Sequence, residues 1–312
     1  MAQKLHVTNG DALVPAIERA APDGVVLPWR DVLHEGPVPA RLSEAELRTE
    51  RVLFLARAGW GDGVMLLDAF ERRDRTLAAG AAAGEVSLWF EDDLFDQLQL
   101  MQVLAMLSSR VADDVEQRLV RVPRTGLNGH LDEHGIGAAE RQAARRAWAA
   151  FRSSDPRLLP AVDATGLPDL AAAFARLVEE LPWTTDGLAR SERQALQAVA
   201  DGNDNPLDVF RASQAMEERP FLGDHWLWVA LHRLGSGPAP LVDAPVAPTA
   251  EISIEFVEQR YRLTDQGAEV LAGRADHARL NGVDRWLGGV HLTGTEPRWR
   301  WDPSVKAVAR AN

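Results

Sequence analysis

The sequence predicts an α/β protein, with an open, mostly parallel sheet and flanking helices at its amino end and a helix-rich, winged-helix-like region after it. Three observations lead there. Short β-like runs alternate with helical periodicity over the first 125 residues. Each of those runs ends in a cluster of polar residues. Beyond residue 184, three helical patterns precede a stretch of alternating apolar residues. The chain of 312 residues exceeds the roughly 250 to 300 at which single cores stop growing, so more than one domain is expected. The expected division is a sheet domain over 1–125, a helical connector over 126–184, and a winged-helix-like domain with a tail over 185–312.

The first element is a β-like run at 5–8, followed by Asn9, Gly10 and Asp11 and then a helical pattern from Ala12 to Ala20. A second run at 25–29 ends in Arg30 and Asp31 and enters a proline-rich loop with His34 and Glu35. Pro28 argues against a central position for that strand, because proline cannot donate to a ladder. Ser43 with Glu46 three residues on forms a capping box opening a helix to about Arg57, and another helix covers 65–77. A third strand at 86–90 runs into Glu91, Asp92 and Asp93 and an apolar helix from Leu94 to about Leu107, and 119–122 makes a fourth. Such alternation implies parallel pairing, since a parallel return needs a long crossover.

In open sheets of this kind ligands gather outside the carboxyl ends of the strands. Three strands therefore deliver a candidate site: Asn9, Gly10 and Asp11; Arg30, Asp31, His34 and Glu35; Glu91, Asp96 and Gln97. Asp11, His34, Glu35 and Glu91 are the catalytic candidates, with His34 or Glu35 as general base. The others are expected to bind ligand. Taken singly, each also has a structural role as helix cap, rigid turn or surface histidine. A magnesium ion on Asp11, Glu91, Asp92 or Asp93 is chemically reasonable, although nothing in the spacing demands one.

Residues 124–137 are glycine-rich and read as a loop, which disfavours His130 and His134 as a metal pair. Helices follow at 138–151 and 167–180. A capping box from Ser191 to Gln194 opens the next helix, Pro206 starts another, and a third spans 221–234. Ile252, Ile254 and Phe256 alternate as a strand with a partner at 261–263, and Thr264 caps a helix over 265–272. A DNA-reading helix presents Arg, Lys, Asn or Gln to the bases. The third helix offers Asp224, His225, Trp226 and Trp228 instead, which suits packing against protein. In the tail, Asp284, Arg285 and His291 surround a tryptophan and the pair Gly288-Gly289; the glycines permit close backbone approach, and Arg285 could grip an anion.

Composition excludes several chemistries. There is no cysteine, so disulfides, thiolate metal sites and cysteine nucleophiles are absent. Lys4 and Lys306 are the only lysines, which nearly removes Schiff-base and phosphate-loop chemistry. The net charge is −12, and neither half is basic: 20 basic against 28 acidic residues up to Trp183, and 14 against 18 beyond it. Broad nucleic-acid binding would need a local cationic patch. No dinucleotide fingerprint, Walker loop, serine-hydrolase elbow or His-Glu-x-x-His motif occurs. No leader and no membrane-length apolar run is evident, which points to the cytoplasm.

The ordered motifs His6-Val7-Thr8-Asn9-Gly10-Asp11, Trp29-Arg30-Asp31-Val32-Leu33-His34-Glu35-Gly36-Pro37 and Leu88-Trp89-Phe90-Glu91 through Asp96-Gln97-Leu98 resemble a bacterial family catalogued only as a domain of unknown function. The tail from Asn281 to Leu292 is similar to that of its longer members. The resemblance implies a shared architecture and a common site at Asn9, Asp11, His34, Glu35, Glu91, Asp96 and Gln97, and transfers no activity. Two functional expectations follow. One is an enzyme or binder of a polar small molecule, such as a nucleotide or phosphorylated metabolite, using the strand ends with Asp284, Arg285 and His291. The other is a ligand-sensing regulator or protein-interaction module acting through the winged-helix-like region.

Overall fold

The computed structural model describes residues 4–108, 116–124, 126–127, 131–244, 246–249 and 251–311. They form two compact units, Met1–Ala175 with Gly288–Val290, and Arg176–Leu287 with His291–Asn312. The segment expected as a connector is thus shared between them, and most of it belongs to the first.

In the first unit, β1 (Lys4–Asn9), α1 (Val14–Ala20), β2 (Gly24–Trp29), α2 (Glu44–Arg57), α3 (Gly63–Ala83), β3 (Glu85–Phe90), α4 (Leu94–Ser108) and β4 (Glu116–Arg121) follow in order. They are succeeded by β5 (Asp132–Gly135), α5 (Ala138–Phe151) and α6 (Pro168–Leu177), which crosses into the second unit. The strands make one sheet in the order β2-β1-β3-β4-β5, parallel except for β4 with β5. Pro28 lies opposite Thr8 on β2, an edge strand, where its missing amide costs least. The other edge is an unexpected strand: β5 occupies part of the stretch read as a loop. Its residues, Asp-Glu-His-Gly, are all exposed, and charge at an edge discourages further pairing. Long-range pairing with β4 overrides the weak local propensity. His134 faces Leu119 in that ladder, and His130 lies outside the described residues.

Registered neighbours in a parallel sheet point to the same face. Thr8, Trp89 and Val120 share one face, which α1 covers through Ile17, packed with Trp89, Val120 and Val122. Leu5, Val7 and Trp29 belong to the other face, where α3 and α4 lie. Gly80 of α3 brings that helix so close that a Cβ would stand 2.5 Å from the Leu5 side chain. Helix α4 is buried on all sides, and its Gln102 accepts a 2.8 Å hydrogen bond from Trp29 Nε1. Local signals set the helix starts: Ser43 and Glu46 make the expected capping box, and Asp62 accepts from the amides of Val64 and Met65. The Gly288-Gly289 pair does permit close approach, since a Cβ at Gly289 would fall 1.8 Å from the Arg152 carbonyl oxygen.

In the second unit, α7 (Arg190–Ala200), α8 (Pro206–Gln214) and α9 (Asp224–Ser236) precede β6 (Val242–Asp243), α10 (Ile254–Glu258), β7 (Arg262–Leu263), α11 (Asp265–Leu271) and α12 (His277–Asn281). Two further pairs follow, β8 (Val283–Leu287) with β9 (Val290–Gly294), and β10 (Trp299–Asp302) with β11 (Ala307–Arg310). Two expectations are corrected here. The alternating residues Ile254 and Phe256 begin a helix, because Ser253 caps it at Phe256 N; the partner of β7 is β6. Helix α7 starts before the expected box: Glu192 accepts from Ala189 N, and Ser191 turns its hydroxyl to Glu180. Trp226 and Trp228 of α9 are buried, with Trp228 Nε1 bonded to the Pro206 carbonyl at 2.9 Å and its ring against Phe256. This is a core helix, not an exposed reader. Among the described residues, no helix is long and apolar enough to cross a membrane.

Candidate functional site

The carboxyl ends of β1 and β3 come together around a hydrogen-bonded acidic knot. Asp93 begins α4 by accepting from Asp96 N at 3.0 Å. Asp96 accepts from the Asn9 side-chain amide and, at 2.6 Å, from Glu91 N. Gln97 donates to the Glu91 carbonyl at 2.7 Å. Asn9, Glu91, Asp96 and Gln97, all expected at one rim, are therefore joined. Burial pushes the Asp96 carboxyl well above the usual carboxylate range, with the Asp93 charge adding to it. Burial also raises Asp93, to about 6, and Glu91, although the cation of Arg124 opposes both shifts.

A pocket of about 390 Å³ opens beside this knot, over the sheet face covered by α3. Asn9, Gly10 and Asp11 line it from the end of β1, and Arg30 and Asp31 from the end of β2. Its walls are aromatic: Trp29, Trp60, Phe70 and Phe95. Gly10 turns the chain at φ 53°, a left-handed conformation that suits glycine. Arg30 grips Asp11 through Nε at 2.8 Å and Nη2 at 2.5 Å, and that pairing lowers the Asp11 carboxyl. Both side chains are more than half exposed, so the pair forms the pocket's rim and adds little stability.

The proline-rich loop after β2 has a different task. Arg51 of α2, 1% exposed, donates to Asp31 Oδ1 at 2.7 Å, to the Val32 carbonyl at 2.8 Å and to the Glu35 carbonyl at 2.7 Å. Gln99 of α4 donates to the Asp31 carbonyl at 2.6 Å. Gly36, at φ 79°, rests against the Phe54 ring. These bonds fasten the loop from below. His34 and Glu35 are buried, His34 against Phe95 in an edge-to-face contact, and neither lines the pocket.

The remaining three candidates are held in the second unit. Arg285 Nη2 lies 3.2 Å from Glu180 in a buried ion pair, so its charge is already matched. Asp284 bonds His291 Nε2 at 2.7 Å, and the His291 ring stacks on Trp286 at 4.3 Å. Asp284 and Arg285 line a cavity of about 220 Å³ within that unit. Among the described residues, no three His, Asp or Glu side chains converge as a metal site; Asp11 pairs with Arg30, and Asp92 lies near Arg121 and Arg124.

Sequence reading missed the aromatic wall and Arg73, whose guanidinium lies 3.9 Å from the Trp29 ring centre and 4.2 Å from that of Phe70. A signal was present: Leu47, Arg51 and Leu55 are spaced four apart, and Phe70, Arg73 and Leu77 three and four apart, so charges interrupt two apolar helical stripes. Such interruptions mark buried charge. No known family model matches the chain, and no curated protein matches it either.

Proposed function

We propose that the first unit binds a small molecule at the carboxyl ends of its sheet, with a flat ring between the aromatic walls and its polar edge on Asn9 and the Asp11–Arg30 rim. The single observation behind this reading is the pocket itself. Its size suits a ligand of nucleoside scale, ring stacking supplies affinity, and Asn9 is pre-oriented by a carboxylate with no role on the pocket wall. A nucleoside or nucleotide is the ligand class we favour, and the cytoplasm, with its nucleotide pool, the setting.

Calorimetry with adenosine, guanosine, cytidine and uridine and their monophosphates tests it. Saturable binding of at least one is expected, weakened about tenfold or more by Trp60→Ala, which leaves the circular dichroism unchanged. No saturable binding across the panel, or binding untouched by Trp60→Ala, would refute it.

A catalytic version would draw on the buried acidic knot beside the pocket, where Asp96 holds Asn9 of the pocket wall and Asp93 caps the same helix. Turnover that Asp93→Asn abolishes while ligand still binds would establish that version. The alternative, a DNA-reading regulator, gains nothing from α9, whose tryptophans are committed to the core. The resemblance to the bacterial family of unknown function is consistent with either version, and we propose that its members share this pocket.

A further inference from the structure

A second cavity of the first unit, about 360 Å³, lies among α2, α3, α4 and α5. Its lining is cationic in a protein that is strongly acidic. Arg48 and Arg51 reach it from α2, Arg73 from α3, Arg145 from the middle of α5 and Arg152 from the residue after that helix. The lining carboxylates are Glu44, Asp31 and Asp74, so the wall carries two positive charges more than negative ones. Asp74 is shared between Arg48 at 2.8 Å and Arg73 at 2.9 Å, and Asp31 serves Arg51. Arg152 spends its Nη2 on the carbonyls of Pro39 and Leu42. Arg145 has no carboxylate partner among the described residues, and its exposure leaves it able to swing over the opening.

The hydrogen-bond inventory points the same way. Arg73 is 7% exposed yet its Nη1 has no acceptor, and the buried Nε atoms of Arg48 and Arg152 also lack one. An unmet buried donor is costly, more so on a charged group. Burial accordingly pulls the Arg73 and Arg152 guanidinium groups toward easier deprotonation. A surplus of fork-shaped donors around a cavity is the chemistry that recognises tetrahedral oxyanions.

We infer that this cavity is a binding site for a phosphate-class dianion, held by Arg48, Arg73, Arg145 and Arg152. Two charges on the anion match the surplus, and the lining guanidinium groups supply donors for its oxygens. The site is separate from the strand-end pocket, although Asp31, Phe70 and Arg73 line both, and the inference does not rest on the ligand proposed there.

The test is calorimetry on the full chain with inorganic phosphate, and in parallel with acetate, at matched ionic strength. Saturable phosphate binding is expected, with acetate at least tenfold weaker. Arg145→Ala, an exposed position that the fold tolerates, should weaken phosphate about tenfold, whereas Arg146→Ala, which removes the partner of Asp163, should leave it unchanged. Absence of saturable phosphate binding, equal affinity for acetate, or an Arg145→Ala protein that binds as tightly as the parent would each overturn the inference. Since Arg145 and Arg146 do not line the strand-end pocket, failure here leaves the nucleoside reading to its own assay.

Discussion

Each unit buries a cluster of carboxyl groups, and the two clusters are built in opposite ways. In the second unit, Glu180 is fully enclosed but accepts from Arg176 at 2.8 Å, Arg285 at 3.2 Å and the Ser191 hydroxyl at 2.7 Å. Burial alone would raise it; the two guanidinium groups outweigh burial and bring it down to about 2. Glu217 is tied to Arg176 at 2.5 Å and to Arg190 at 3.4 Å. In the first unit, Asp93 and Asp96 are buried too, and among the described residues no arginine bonds to them, so desolvation wins, reinforced by Glu91 at both and by Asp93 at Asp96, and both rise. The same carboxyl group thus serves as structural cement where cations reach it and as a proton-holding group where they do not. Strongly raised carboxyls beside a pocket are what functional sites accumulate.

Breaking the cemented cluster should have the largest effect. Arg176→Met leaves two buried carboxylates short of a cation and is expected to destabilise the second unit by about 3–5 kcal/mol in urea unfolding. A loss under about 1 kcal/mol would mean that Arg190 and Arg285 carry the cluster unaided.

The pH dependences should have opposite signs. Glu180 is held below its unfolded value, so its contribution, about 3 kcal/mol, is present above roughly pH 4.5 and lost as pH falls through about 2. Asp93 is held above its unfolded value. Its native state binds the proton more tightly, so stability is fullest below about pH 4 and declines as pH rises through about 6. Denaturant titrations from pH 2 to 7 on the parent, Glu180→Gln and Asp93→Asn should separate the two slopes. A parent curve with no decline between pH 4 and 6 would remove the distinction drawn between the clusters.

The smallest effect belongs to Asp93→Asn at pH 7. Asparagine caps a helix about as well as aspartate, and the substitution removes a buried charge facing Asp96. At pH 7 stability should therefore rise, by at most about 3 kcal/mol, the penalty of ionising a carboxyl held near 6, against a loss of about 3–5 for Arg176→Met. A loss comparable to that of Arg176→Met would show that Asp93 is cement too.

Much of the first unit was legible because its signals are local. Ser43 with Glu46, the alternation of strand and helix, and Pro28 as the mark of an edge strand all depend on residues a few positions apart. The meeting of Asn9, Glu91, Asp96 and Gln97 was legible for a topological reason: parallel strands bring their carboxyl ends to one rim. Other parts were misread for want of long-range information. Ile254 and Phe256 alternate like a strand, yet the Ser253 cap and the burial of Phe256 turn them into a helix. His34 and Glu35 looked poised for chemistry, while the bonds from Arg51 make their loop a clamped support.

By itself the sequence determined the α/β alternation, the helix starts, the absence of thiol chemistry and the strand ends where polar groups gather. These follow from backbone propensity, capping and side-chain inventory, which act over a few residues. Only the tertiary structure decided which carboxyl meets which arginine, and so whether Glu180 falls and Asp96 rises. Desolvation and ion pairing depend on neighbours that are distant in the chain, and no local pattern encodes them.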